Sequence, residues 1–263
     1  VITSLQNEKV KNAIALRDRR DRDATGLFLI EGYREIYRAL GARRALKQLF
    51  FVPPLFLGEN EHALLDQVKR GGAELLECTE PVFRKLSYRD RPDGLVAVAP
   101  QVHLKLEDLV LQPRPFLVVA EAIEKPGNLG TILRCSDAVG VDALIVCDKC
   151  TDIHNPNVVR ASVGTLFTVP VVETTSEQLL PWLKAHGIAI VATTPSAETY
   201  YNQVDLQGPI AIAMGTEQLG LSQKWLEEAD LKIKIPMKGT ADSLNVAMAT
   251  TVALYEVLRQ RCK

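Results

Sequence analysis

The sequence predicts an α/β fold: a mostly parallel sheet in the carboxyl-terminal part, preceded by a small α/β domain. Three observations carry this. Six short apolar runs, regularly spaced between residues 116 and 235, are separated by helical patterns. The runs are rich in Val, Ile and Ala and do not alternate with polar residues, as expected of strands buried on both faces. A stretch over 101–115, polar at its start and carrying Pro113 and Pro115 at its end, separates two differently patterned halves. The expected domains are therefore 1–100 and 116–263, joined by a linker over 101–115.

In the first half the pattern gives a helix over 7–16, a strand over 27–30, a helix over 33–40 and a strand over 49–52. Helices over 61–70 and 81–86 follow, and a strand over 94–99 closes the domain. In the second half strands are expected over 116–120, 143–147, 169–172, 188–192, 210–214 and 233–235. Helices fill 129–139, 158–165, 176–186, 223–228 and 244–261. No internal repeat or low-complexity segment interrupts the pattern.

Composition narrows the function classes. Hydrophobic residues make up 47% and charged residues 24%, the balance of an ordinary globular protein. No apolar run approaches the ~18 residues of a membrane helix. The most apolar stretch, from Leu49 to Leu57, is broken by Pro53-Pro54. No basic-then-apolar leader opens the chain, so a cytoplasmic protein is expected. Five cysteines in a chain this long do not read as a disulfide framework. The net charge of −1 argues against a nucleic-acid partner, but residues 1–50 hold 11 Lys and Arg against 6 Asp and Glu. Arg19, Arg20 and Arg34 lie in these basic clusters and are candidate phosphate contacts. Asp18, Asp21 and Asp23, interleaved with the first cluster, fit a solvated helix face equally well.

Open parallel sheets bind ligands at the carboxyl ends of their strands. Three loops there are unusual. The first runs Glu124-Lys125-Pro126-Gly127-Asn128, and on residues alone Asn128 reads as an N-cap and Arg134 as a surface charge. In the second, Gly215 and Gly220 flank Glu217, so backbone can approach a ligand while one carboxylate is presented. In the third, Gly239 precedes a helix opening with Ser243 and Asn245, polar groups at an amide-rich end. Neither GxGxxG nor GxxxxGK[ST] occurs, so ordinary dinucleotide and P-loop readings lack their phosphate cradle.

Taken in order, Asn128…Arg134, Gly215-Thr216-Glu217-Gln218-Leu219-Gly220 and Ile235-Pro236-Met237-Lys238-Gly239 continuing to Ser243-Leu244-Asn245 resemble the three signature motifs of the SpoU/TrmH family. These are RNA ribose 2′-O-methyltransferases of the SPOUT superfamily. Ile2 through Lys11, with Phe28-Leu29-Ile30-Glu31-Gly32, resembles the small RNA-binding domain of the two-domain ribosomal RNA enzymes, the thiostrepton-resistance type included. The resemblance implies a deep trefoil knot near the carboxyl terminus, S-adenosylmethionine as cofactor, no metal, and a homodimer whose active sites draw on both protomers. It implies that Thr193, Met214, Gly215, Ile235, Met237 and Leu244 line the cofactor site. It makes Arg134 the central catalytic residue, with Asn128, Glu217, Ser243 and Asn245 ordering the pocket around it. A guanidinium is a poor general base, so an electrostatic role for Arg134 is expected. Ribosomal RNA is the favoured substrate. Transfer RNA with the same chemistry, a non-catalytic RNA-binding factor and a small-molecule enzyme are the competing readings.

Other residues stay open. Arg160, in Asn155-Pro156-Asn157-Val158-Val159-Arg160, is read as an RNA contact or as part of a structural turn. Cys147-Asp148-Lys149-Cys150 has the spacing of a redox or zinc pair, yet a single CxxC is weak and Cys147 simply ends a buried strand. Glu31-Gly32 touches RNA or ends a strand. The apolar stripe Leu244, Met248, Thr251, Val252, Tyr255 and Leu258 serves a dimer or packs on its own sheet.

Overall fold

The computed structural model describes residues 1–262. The first stretch runs α1 (Glu8–Ala15), α2 (Arg19–Thr25), β1 (Leu27–Glu31), α3 (Tyr33–Gly41), β2 (Gln48–Phe51), α4 (Glu61–Arg70), β3 (Glu74–Glu77), α5 (Glu80–Leu86) and β4 (Leu95–Pro100). The remainder runs β5 (Phe116–Glu121), α6 (Pro126–Val139), β6 (Ala143–Cys147), α7 (Pro156–Ala161), β7 (Val171–Thr174), α8 (Ser176–Ala185), β8 (Ala189–Thr193), β9 (Thr199–Tyr200), β10 (Ile210–Met214), α9 (Gln223–Glu228), β11 (Leu231–Lys234) and α10 (Val246–Arg261).

The chain forms two compact units, and neither is one continuous segment. One comprises Val1–Val102 and Asp152–Thr168; the other comprises His103–Thr151 and residues from Val169 onward. Residues 152–168, placed by the sequence pattern in the second domain, thus cluster with the first. A buried ion pair fixes that join: Arg22, 1% exposed, donates to the Asp152 carboxylate at 2.8 Å and to the carbonyls of Leu16 and Arg17. Arg22 therefore belongs to the interior, not to a basic face.

The first unit holds a four-stranded sheet of order β1-β4-β2-β3, with β4 antiparallel to both neighbours and β3 parallel to β2. Its core packs Val10, Leu29, Phe50, Phe83 and Val96. α2 and β3 escape the apolar-periodicity reading for a physical reason. α2 reads Arg-Arg-Asp-Arg-Asp-Ala-Thr, with Arg22 as its only buried residue. β3 is a four-residue Glu-Leu-Leu-Glu strand.

The second unit holds a seven-stranded sheet of order β7-β6-β5-β10-β8-β11-β9, parallel throughout. Its central strands β5, β6 and β10 are buried at every residue, which is why their sequences carry no polar alternation. The two-residue edge strand β9 is too short to register in the pattern.

Three helix expectations need correction. The helix expected from 129 begins at Pro126, because proline is pre-set for the first helical position and Lys125 takes the cap. The helix expected over 158–165 is α7, ending at Ala161. There Ser162 Oγ donates back to the Val159 carbonyl, and Val163 and Gly164 adopt positive φ of 53° and 84°. The last helix starts at Val246, with Asn245 as its cap, leaving Ser243 and Leu244 in the preceding loop.

Candidate active site

The loop after β10 is a tight reversal. Thr216 and Gly220 exchange backbone hydrogen bonds at 3.0 and 3.1 Å, and Gly220 closes the turn at φ 71°. Gly215 has no room for a side chain: an added Cβ would lie 2.1 Å from the Gly220 carbonyl carbon and the Leu221 nitrogen. The reversal presents Glu217 at the start of α6. Its two carboxylate oxygens accept the backbone N–H groups of Glu124 and Lys125, both at 3.1 Å. Asn128 Nδ2 donates to the same carboxylate at 2.6 Å. Glu217 thus satisfies donors at a helix end whose dipole favours a negative charge. Partial burial opposes ionisation, but the bonds from Asn128, Glu124 and Lys125 outweigh it and hold the Glu217 carboxyl below the usual carboxylate range.

Asn128 is not the N-cap that its sequence position suggests. It is the third residue of α6, and its side chain joins two loops instead. While Nδ2 reaches Glu217, Oδ1 accepts from Asn245 Nδ2 at 3.0 Å, and Asn245 Oδ1 caps α10 through the Ala247 N–H. One continuous hydrogen-bond chain therefore runs from Glu217 through Asn128 to Asn245, linking all three loops.

Beside this chain lies a cavity of about 340 Å³, within the range of small-molecule sites. Thr193, Met214, Gly215, Ile235, Met237 and Leu244, the six residues assigned to the cofactor on resemblance, all line it, as do Glu217 and Ser243. The fit to S-adenosylmethionine rests on three features. Met214, Ile235, Met237 and Leu244 offer an apolar wall for an adenine ring. The Thr193 Oγ1 is buried with no hydrogen-bond partner, a group that a polar ligand would satisfy. Gly215 brings bare backbone to the cavity surface, where main-chain contacts can reach a ligand.

The sequence reading missed the turn Thr194-Pro195-Ser196, which also lines the cavity and is tied by a Thr194–Ser196 hydroxyl contact of 2.9 Å. Its position directly after a predicted strand was the available signal. Leu219 was named only as part of its motif, yet it lines the cavity and is 89% exposed.

Arg134 stands apart. It lies six residues beyond Asn128 on α6, ~9 Å along the axis and 240° around it. It is exposed, makes no hydrogen bond or ion pair among the described residues, and does not line the cavity. Arg160, Arg34, Arg19 and Arg20 all belong to the first unit. Arg19 and Arg20 form exposed pairs with Asp23 and Asp21 at 3.5 and 3.8 Å. Arg34 is exposed and unpaired among the described residues, and Arg160 is exposed and donates to Asn157 Oδ1.

Cys147 is buried against Ser176 Oγ, and burial pushes its thiol up to about 12, the character of an inert core group. Among the described residues no group of three or more His, Cys, Asp or Glu side chains is arranged to hold a metal ion, and no helix is long and apolar enough to cross a membrane. Of the stripe expected on the last helix, Met248 is 60% and Tyr255 49% exposed, whereas Thr251, Val252 and Leu258 are half-buried. Val246, Ala247, Thr250, Ala253, Leu254 and Val257 are the apolar and hydroxyl side chains it buries.

A family model described as SpoU rRNA Methylase matches residues 115–255, more than half of the chain. A second, an MRM3-like substrate binding domain, matches residues 7–97. The 23S rRNA (guanosine(2553)-2′-O)-methyltransferase of Bacillus subtilis is 29% identical over 97% of this chain and 98% of its own. The AdoMet-bound rRNA methyltransferase of Sinorhizobium meliloti is 33% identical, with a TM-score of 0.90 over 98% of this chain and 97% of its own. A solved RNA 2′-O ribose methyltransferase is 41% identical, with a TM-score of 0.89 over 100% of this chain and 99% of its own.

Proposed function

The chain belongs to the SpoU rRNA methylase family, and from that premise we propose that it transfers a methyl group from S-adenosylmethionine to a ribose 2′-hydroxyl of ribosomal RNA. The single observation that carries the reading is the cavity after β10, lined by the second and third motif loops around a partnerless buried hydroxyl, beside the Glu217–Asn128–Asn245 hydrogen-bond chain that ties in the first loop. Ribosomal RNA is favoured over transfer RNA because the chain carries the substrate-binding domain at residues 7–97 and aligns end to end with a 23S rRNA enzyme. The enzyme works in the cytoplasm, where such RNA is made.

Thr193, Met214, Gly215, Ile235, Met237 and Leu244 would hold the cofactor. When bound, it supplies a sulfonium methyl group open to attack by an oxygen nucleophile. The chain's own task is to make a ribose hydroxyl attack well. That hydroxyl ionises poorly at neutral pH, so developing negative charge on its oxygen needs a fixed cation. Arg134, unpaired among the described residues, is a guanidinium with fork geometry for a phosphate and an adjacent oxygen. It holds the RNA phosphate and stabilises the oxygen, and the proton passes to that phosphate rather than to Arg134. Glu217 touches no reacting atom: it positions Asn128 and, through it, Asn245.

The exposed side chains of Met248 and Tyr255, two turns apart on α10, support a homodimer, and the separation of Arg134 from its own chain's cavity supports a site completed by the second copy. The strand order supports a knotted end. β11 is laid between β8 and β9, within the span that the β9–β10 connection crosses.

The test is transfer of labelled methyl from S-adenosylmethionine to unmodified ribosomal RNA and, separately, to transfer RNA. Label in ribosomal RNA is expected. Label confined to transfer RNA would overturn the substrate, and failure to bind S-adenosylmethionine would overturn the activity.

A further inference from the structure

Tyr88, on the segment after α5, is 41% exposed, yet it is held on three sides. Asn157 Nδ2 donates to its hydroxyl at 3.0 Å. The Arg17 guanidinium sits 5.8 Å from its ring centroid, within cation–π range. Its backbone N–H donates to the Glu31 carboxylate at 2.9 Å.

The neighbours are themselves fixed. Arg17 Nη2 donates to the carbonyls of Lys85, Leu86 and Ser87 at 2.7, 3.0 and 2.7 Å. Asn157 uses both ends of its amide, giving to Tyr88 and accepting from Arg160 Nη2 at 3.1 Å. Arg160 has no other partner among the described residues, so most of its donors are free. Leu29, Glu31, Tyr88, Pro156 and Arg160 together line a small pocket. All these residues belong to the first unit, and Asn157 and Arg160 come from the 152–168 segment that clusters with it.

An exposed ring with little freedom, the Arg17 guanidinium at one side and a second guanidinium with spare donors two hydrogen bonds away form chemistry suited to an unstacked base followed by its phosphate. Tyr88 loses little entropy on binding because its contacts already fix the ring. The Glu31 carboxylate accepts from the Ser87 hydroxyl and the Tyr88 N–H, which fixes the segment that carries the ring.

We propose that Tyr88 is a stacking platform for an unpaired nucleobase of the substrate RNA, held in place by Arg17 and Asn157, with Arg160 taking the neighbouring phosphate. This rests on the reading of RNA as the substrate and adds where a base outside the methylated position is gripped.

The test uses the full-length protein with Tyr88→Ala, Tyr88→Phe and Arg160→Gln. The readouts are KM and kcat for ribosomal RNA methylation and Kd for a single-stranded oligoribonucleotide across a salt series. Tyr88→Ala raises KM and Kd about five- to a hundredfold, with kcat at saturating RNA and the salt slope unchanged. Tyr88→Phe, which keeps the ring and loses the hydroxyl, stays within about twofold of the parent. Arg160→Gln weakens binding and reduces the salt slope by about one. A Tyr88→Ala protein that binds within about twofold of the parent overturns the platform. So does a Tyr88→Phe protein as weak as Tyr88→Ala, which would assign the effect to the hydroxyl. If the parent methylates no RNA, the proposed function fails, while the oligoribonucleotide Kd still decides the platform.

Discussion

Glu217 shows how one side chain ties loops together. Its carboxylate gathers two backbone N–H groups and the Asn128 amide, and those bonds keep its folded-state pKa below the unfolded value of ~4.3. A group depressed in this way stabilises the fold above its unfolded pKa, and the contribution is lost as pH falls through the folded one. Glu217→Gln turns an amide NH₂ toward donors, so it is less stable than the parent at pH 7, and the difference narrows as pH falls below the usual carboxylate range. Urea unfolding of both proteins at neutral and acid pH checks this; a gap independent of pH would contradict it. The family resemblance grouped Asn128, Glu217 and Asn245 in one pocket without the hydrogen bonds that join them. Asn128 reads as a cap because Asn often is one, and only the fold reveals that Pro126 has displaced it from that position.

At the scale of elements, the six apolar runs located the strands because the central ones are buried on both faces and leave no polar alternation to misread. What the runs cannot convey is order. β10 lies between β5 and β8, and that insertion brings the Gly215–Gly220 loop beside the start of α6. Local periodicity holds no information about which strands become neighbours. The close approach at Gly215 has a sharp consequence. Gly215→Ala drives a Cβ into backbone that cannot rotate away, so stability falls by about 3 kcal/mol or more and S-adenosylmethionine binding is lost. Gly239→Ala, where nothing lies within 4 Å of the new atom, changes stability by about 0.5 kcal/mol or less. Denaturant melts and calorimetric cofactor titrations of the pair decide it; equal behaviour of the two variants would contradict the crowded turn.

For the whole molecule, the change of composition over 101–115 reads as a linker, yet residues from His103 to Thr151 cluster with the second unit and Leu106 is buried in its core. The return of residues 152–168 to the first unit was not legible, because it depends on a buried Arg22–Asp152 pair between residues 130 positions apart. Arg134, free in its own chain, gives the assembled enzyme a testable form. Leu244→Trp fills the cavity of one copy, and Arg134→Ala removes the guanidinium of the other. Each variant alone is inactive, whereas coexpressed copies recover roughly a quarter of parent activity if each site takes Arg134 from its partner. No recovery would place Arg134 in its own chain's site. The central claim, methylation of a ribose oxygen, is tested most directly by alkaline hydrolysis of ribosomal RNA labelled by the parent and by Arg134→Ala. A methylated 2′-oxygen cannot attack the adjoining phosphodiester. The account therefore predicts label in an alkali-resistant dinucleotide, reduced about a hundredfold or more by Arg134→Ala. Label released in mononucleotides, which marks a base as the methyl acceptor, would contradict it.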